Sequence, residues 1–219
     1  MSPPENAPET GTTPSSPSPV PYAPGGPSPV SPASVIDFWL HPDMRKRWFT
    51  GGAELDSDIG RRFGAAVALA QAGDLIEWES EPQNRLALIL LLDQFPRNIF
   101  RGKARAFHGD ARAQRLVSIG IAHKADLSLP WLGRVFFYMP LMHAEDLQLQ
   151  EEGVRRYRSL AAAAPEDLRD VMQSSLTYAE QHRDIIARLG RFPHRNSALG
   201  RTNTALEFEF LKIGPRFGQ

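Results

Sequence analysis

Seven consecutive apolar residues, Leu86 to Leu92, leave no polar face on whatever element they form. Such a segment is stable only when neighbours cover it on every side. It is far shorter than the ~20 residues a bilayer requires, so the cover has to be protein. Asn84 to Phe95 therefore reads as a central helix with others packed around it, closed by Pro96, which cannot extend the backbone ladder.

The flanking segments carry helical periodicity. Leu55, Ile59, Phe63 and Val67 recur every fourth residue and predict a helix over about 57–72. Ser34 with Asp37 reads as a capped start for a short helix from Val35 to Leu40, with Trp39, Trp48 and Phe49 as apolar anchors around it. Further helices are expected over Asp110 to Lys124, Pro130 to Tyr138, Ala144 to Ala164 and Pro165 to Leu189. Gly190 suits the left-handed position after the last of these. Thr204 with Glu207 predicts a capped terminal helix. No stretch alternates with the period of a strand. The fold class is all-α: a bundle or array of about eight helices, forming one domain over 35–219.

Before it lies a different kind of chain. Residues 1–34 hold 11 of the 19 prolines, no lysine or arginine, and only Glu5 and Glu9 as charges. With almost no large apolar side chains, this tail reads as disordered. Proline spacings such as Pro14 and Pro17 suit polyproline recognition, but a solvated spacer is the simpler reading. The tail lacks the basic and apolar regions of a secretory signal, so a cytoplasmic location is expected.

Charge and cysteine content narrow the function. Lysine plus arginine equals aspartate plus glutamate at 25 each, which argues against a nucleic-acid or anionic-membrane partner. A chain without cysteine has no disulfide, thiolate metal site or thiol nucleophile. No two histidines are four apart, and no carboxylate lies three residues before a histidine, so neither the zinc-protease nor the di-iron helix pattern is present. His143-x-Glu145 matches half of a zinc-deaminase pattern whose cysteines are missing. No spacing specifies a metal or names a cofactor.

The informative polar residues lie on or beside apolar stripes. The last long helix buries Leu168, Met172, Ser175, Ala179, His182 and Ile186 on one seam, which places His182 inside it. Extending the preceding stripe back one turn puts His143 at its start, near Asp146 and Gln150. Asp93, near a helix C-terminus, needs a cation, and Arg97 or Arg101 is close in sequence. The segment Gly190 to Asn196 sets Arg191, His194 and Arg195 around a proline, with Arg201 beyond, a set able to hold a carboxylate or phosphate.

Four motifs in order, Leu92-Asp93-Gln94-Phe95-Pro96-Arg97-Asn98, Pro140-Leu141-Met142-His143-Ala144-Glu145-Asp146, His182-Arg183-Asp184 and Gly190-Arg191-Phe192-Pro193-His194-Arg195-Asn196, resemble the bacterial domain-of-unknown-function family nine-twenty-four. That resemblance spans Val35 to Lys212. It implies an all-α fold of the tetratricopeptide-repeat-like kind and no established activity. The expected function is a binding module whose polar pocket takes a small anionic ligand or an acidic peptide terminus. Its expected residues are Asp93, Arg97, His143, Glu145, Asp146, His182, His194 and Arg195. The alternative is an enzyme using histidine acid–base chemistry or a histidine–carboxylate metal site.

Overall fold

The computed structural model describes residues 30–48 and 50–215. The Pro-rich tail before residue 30, expected to be disordered, and the expected anchor Phe49 lie outside the described residues. Those residues form nine α-helices joined largely by short 3-10 turns, with no strand among them. No helix among them is long and apolar enough to cross a membrane.

Helix α1 (Pro32–Leu40) begins three residues earlier than its sequence pattern suggests. Ser31, not Ser34, is the cap: its hydroxyl accepts the Ser34 N–H at 3.2 Å, and the Ser34 hydroxyl accepts the Ser31 N–H at 3.1 Å. Pro32 fits the first helical position because the N–H it lacks has no intrahelical acceptor there. Helix α2 (Gly52–Ala72) buries the expected stripe Leu55, Ile59, Phe63 and Val67.

Helix α3 (Pro82–Leu92) is the central element. Leu86 to Leu92 are at most 1% exposed. They are covered by α1, α2, α5 (Asp110–Ala122) and α6 (Trp131–Met142). The chain does not run on to Phe95 in one helix. It breaks at Asp93 and restarts as α4 (Gln94–Ile99), which is the ninth helix where about eight were expected. Pro96 thus opens a helix instead of closing one, since the first turn tolerates a missing N–H. Leu92 carries the carbonyl that Pro96 cannot pair, and Gly109 packs directly over it. A Cβ at position 109 would lie 2.3 Å from that oxygen.

Helices α7 (Leu147–Ala163) and α8 (Arg169–Leu189) form the most extensively packed pair, running antiparallel with Arg158 bonded to Glu180 at 3.1 Å. Gly190 ends α8 with φ of 73°, a conformation that favours glycine. Beyond it, α9 (Ala205–Ile213) starts with the expected box: Glu207 accepts the Thr204 N–H at 2.7 Å and returns its own N–H to the Thr204 hydroxyl at 3.2 Å.

Gly109→Ala is expected to lower unfolding stability by about 1–3 kcal/mol, because backbone cannot yield as a side chain can. Gly64→Ala, on α2 where an added Cβ meets nothing within 4 Å, is expected to be neutral or to stabilise by up to about 1 kcal/mol. Urea titration of both variants checks the pair.

Candidate functional site

Asp93 occupies the break between α3 and α4, and its side chain is fully buried. A carboxylate in such a place requires several partners. Arg97, one turn on, lies 3.0 Å from Oδ1, and the same Arg97 nitrogen donates to the Asp93 carbonyl at 2.7 Å. The Gln94 amide donates to Oδ2 at 2.5 Å. His143 donates from Nδ1 to Oδ1 at 2.8 Å. Burial acts to raise the Asp93 carboxyl, but Arg97, His143 and Gln94 outweigh it and hold it well below the usual carboxylate range. Asp93 is therefore ionised, which forces His143 to carry its proton on Nδ1 and leaves Nε2 as the basic atom.

Of the two cations near Asp93 in sequence, Arg97 is its partner. Arg101 instead meets Asp56 of α2, with both bonds at 3.0 Å. Arg97 continues to Asp110 at the start of α5, which it grips with two bonds of 3.0 and 2.9 Å. Asp110 in turn receives Arg195 at 3.4 Å. The Arg195 guanidinium also lies 4.5 Å from the Phe192 ring centre and 4.8 Å from that of Phe107. Burial, then repulsion from Arg97, lowers Arg195 to about 10, so it stays charged at neutral pH.

The other residues of the 190–201 segment are not arranged as an anion receptor. Arg191 bonds Glu207 at 2.5 and 2.9 Å. Arg201 bonds Glu145 at 2.6 and 2.9 Å, and Glu145 also accepts the Phe192 N–H at 2.8 Å. Each arginine that sequence spacing gathers into this segment already has a carboxylate of the chain itself. Asp93, Asp110 and Glu145 balance Arg97, Arg195 and Arg201 within one connected region. Asp110, absent from the expected set, is the carboxylate that the two buried arginines need.

His143 and Asp146 depart from the expected helical register. His143 caps the C-terminus of α6, its N–H bonded to Met139 at 3.0 Å, and does not lie on the α7 stripe. Asp146 is exposed and caps α7, accepting the Leu149 N–H at 3.0 Å. Gln150 is buried, as the stripe predicts, but its amide ties the α6–α7 turn through the Met142 and Ala144 carbonyls at 2.6 and 2.8 Å. The three do not form a cluster. His182 does lie in the buried seam of α8, donating from Nδ1 to the Tyr178 carbonyl at 2.7 Å. Its ring centre is 6.1 Å from that of His143.

A cavity of about 760 Å³ opens between α4, α6, α8 and Arg45, Trp48 and Thr50. Arg97, His143 and His182 line it; Arg195, His194, Glu145 and Asp146 do not. Apolar walls come from Trp48, Phe136, Met139 and Met142. Its charged lining residues are Arg45, Arg97, Arg101 and Asp170, of which Arg97 and Arg101 are already paired, with Asp93 and Asp110 and with Asp56 respectively. No group of three or more metal-ligating side chains occurs among the described residues.

Burial is the main cause that lowers His182 and His194, each to about 3, with His143 adding to it for the first and Arg195 for the second. Burial also lowers His143, against the pull of Asp93. All three rings are neutral at pH 7. The unfolded chain takes up these protons near the ordinary histidine value of about 6.5, whereas the folded chain resists until far lower pH. Stability is therefore complete above pH 6.5 and falls as pH drops toward 3. At pH 5, His182 and His194 are each expected to cost about 1–2 kcal/mol. Guanidinium titrations at pH 7.5 and 5 measure this, and His182→Gln should flatten the dependence. Asp110→Ala, which strips Arg97 and Arg195 of their shared carboxylate, is expected to cost about 3 kcal/mol in the same assay at pH 7.5.

A protein-family model described as bacterial protein of unknown function (DUF924) matches residues 35–214. Among solved structures, a protein of unknown function from Agrobacterium tumefaciens is similar, with 37% identity and a TM-score of 0.72 over 84% of this chain and 97% of that one. No curated protein matches the chain.

Proposed function

The chain belongs to the DUF924 family of bacterial proteins, and from that footing we propose that it binds a small molecule with an apolar body and an acidic group in the cavity between α4, α6 and α8. The observation that carries this reading is the lining: aromatic and methionine side chains together with Arg45, beside Arg97 and Arg101, which are already paired with Asp93, Asp110 and Asp56. A volume of about 760 Å³ lies within the ~300–1,000 Å³ range of small-molecule sites. That size favours a small ligand over a peptide terminus. Arg45 is exposed and makes no ion pair among the described residues, so it is the cation best able to meet an incoming anion. Arg97 is held by Asp93 and Asp110 and contributes shape and hydrogen-bond direction more than net charge.

Octanoate, with octanol as its neutral counterpart, tests the reading by thermal shift and calorimetric titration. Wild-type protein is expected to show a saturable rise in Tm with octanoate and at least tenfold weaker binding of octanol. Ser174→Trp, which places bulk at an exposed position of the lining, should abolish the shift while leaving the ligand-free melt unchanged. Arg45→Glu should weaken octanoate but not octanol. Equal shifts in wild type and Ser174→Trp, or no shift in wild type, would overturn the proposal.

A further inference from the structure

Asp93 turns two side chains the same way. His143 gives its Nδ1 proton to Oδ1, and the Gln94 amide gives its hydrogens to Oδ2 and to the Met139 sulfur. Buried Arg97 needs the anion at Asp93 whatever else the site does. With that anion in place, both neighbours must face it with their donors. What each has left is an acceptor on its far side: the unprotonated Nε2 of His143 and the Oε1 of Gln94. Among the described residues neither atom meets a donor, and neither is one of the polar atoms sealed from solvent without a partner. Both residues line the cavity between α4, α6 and α8, so the two acceptors are open to it.

An apolar ligand that fills this cavity keeps water from those acceptors. It must then supply donors of its own, or leave both atoms desolvated and unpaired. A cationic donor is poorly suited. Burial, with the charges of Arg97 and Arg195, disfavours a positive charge at His143 despite the pull of Asp93. The group that fits is a neutral donor. An alcohol is a small one, and its O–H rotates to reach either acceptor.

We propose that His143 Nε2 and Gln94 Oε1 form a hydroxyl-recognition subsite, and that the ligand is a hydroxylated carboxylic acid with an apolar chain. The inference rests on the ligand site proposed above and names what that ligand carries besides its acid group. Arg45 meets the carboxylate and the Asp93-backed acceptors meet the alcohol, so different residues read the two polar groups. Asp93 is a positioning residue that acts through His143 and Gln94. Selectivity has two sources, the bond a hydroxyl makes and the unpaired acceptors that a plain chain leaves behind.

Calorimetric titration of the full-length protein with octanoate, the positional series of hydroxyoctanoates and the matching methoxyoctanoates tests the proposal. At least one hydroxyl position is expected to bind about tenfold more tightly than octanoate. Its methoxy counterpart keeps the oxygen but has no hydrogen to donate, and is expected to bind no better than octanoate. The NMR signal of His143 Nε2 should move on adding the hydroxy acid and stay in place with octanoate, a difference that a merely structural histidine does not give. His143→Phe and Gln94→Met each remove one acceptor, and each should reduce the preference for the hydroxyl while octanoate still binds. Arg45→Glu should weaken both acids and leave their ratio unchanged. If no hydroxyl position binds more tightly than octanoate, or the methoxy counterpart is equally favoured, the inference is overturned; octanoate binding in that case leaves the ligand site itself standing. Failure of every acid to bind overturns both. Where the His143 and Gln94 variants do not fold, the comparison of hydroxy with methoxy acid in wild type decides.

Discussion

The ion pair between Asp93 and Arg97 is the constraint around which the rest of the polar interior is organised. A fully buried carboxylate is tolerable only with its charge balanced and its lone pairs occupied. Arg97 supplies the balance, but a guanidinium has five donors and its own burial to offset. It therefore draws in Asp110, and Asp110 draws in Arg195 from the turn that follows α8. One anion at a helix break thus fixes α5 and the segment after α8 to the centre of the molecule.

The backbone has to make room for that chain of charges. The break after Leu92 turns Asp93 off the axis of α3, and Pro96 prevents α3 from running on uninterrupted through the Leu92 carbonyl. Gly109 then packs against that buried carbonyl without a side chain. This close approach is what brings Asp110, its neighbour, within reach of Arg97. An apolar helix, a proline, a glycine and two carboxylates act here as one unit, in which local backbone chemistry sets the position of buried charge.

Much of the architecture was legible in the sequence because it depends on neighbours a few residues apart. The need to surround Leu86 to Leu92, the left-handed Gly190 and the Thr204–Glu207 box all follow from backbone and periodicity. The departures from local pattern have the same physical origin. Ser34 was the better-looking cap because Asp37 follows it, yet Ser31 holds that place with Pro32 behind it. Pro96 looked like a terminator, although a proline is equally at home in a first turn. His143 looked like the start of the α7 stripe because 3.6-residue periodicity carries no mark where one helix ends and Asp146 begins the next.

The site divides along the same line. Sequence alone determined an all-helical array about a central apolar helix, a carboxylate at Asp93 that needed a nearby cation, and His182 on a buried seam. Tertiary structure alone decided that Arg97 rather than Arg101 answers Asp93, and that His143, 50 residues away, bonds the same carboxylate. It decided too that Arg195 reaches Asp110 across 85 residues while Arg191 and Arg201 turn to Glu207 and Glu145. The reason is physical. Caps, breaks and stripes are set by torsions and hydrogen bonds within a turn or two, whereas the pairing of buried charges is set by which elements pack together and how closely, and spacing along the chain does not encode that.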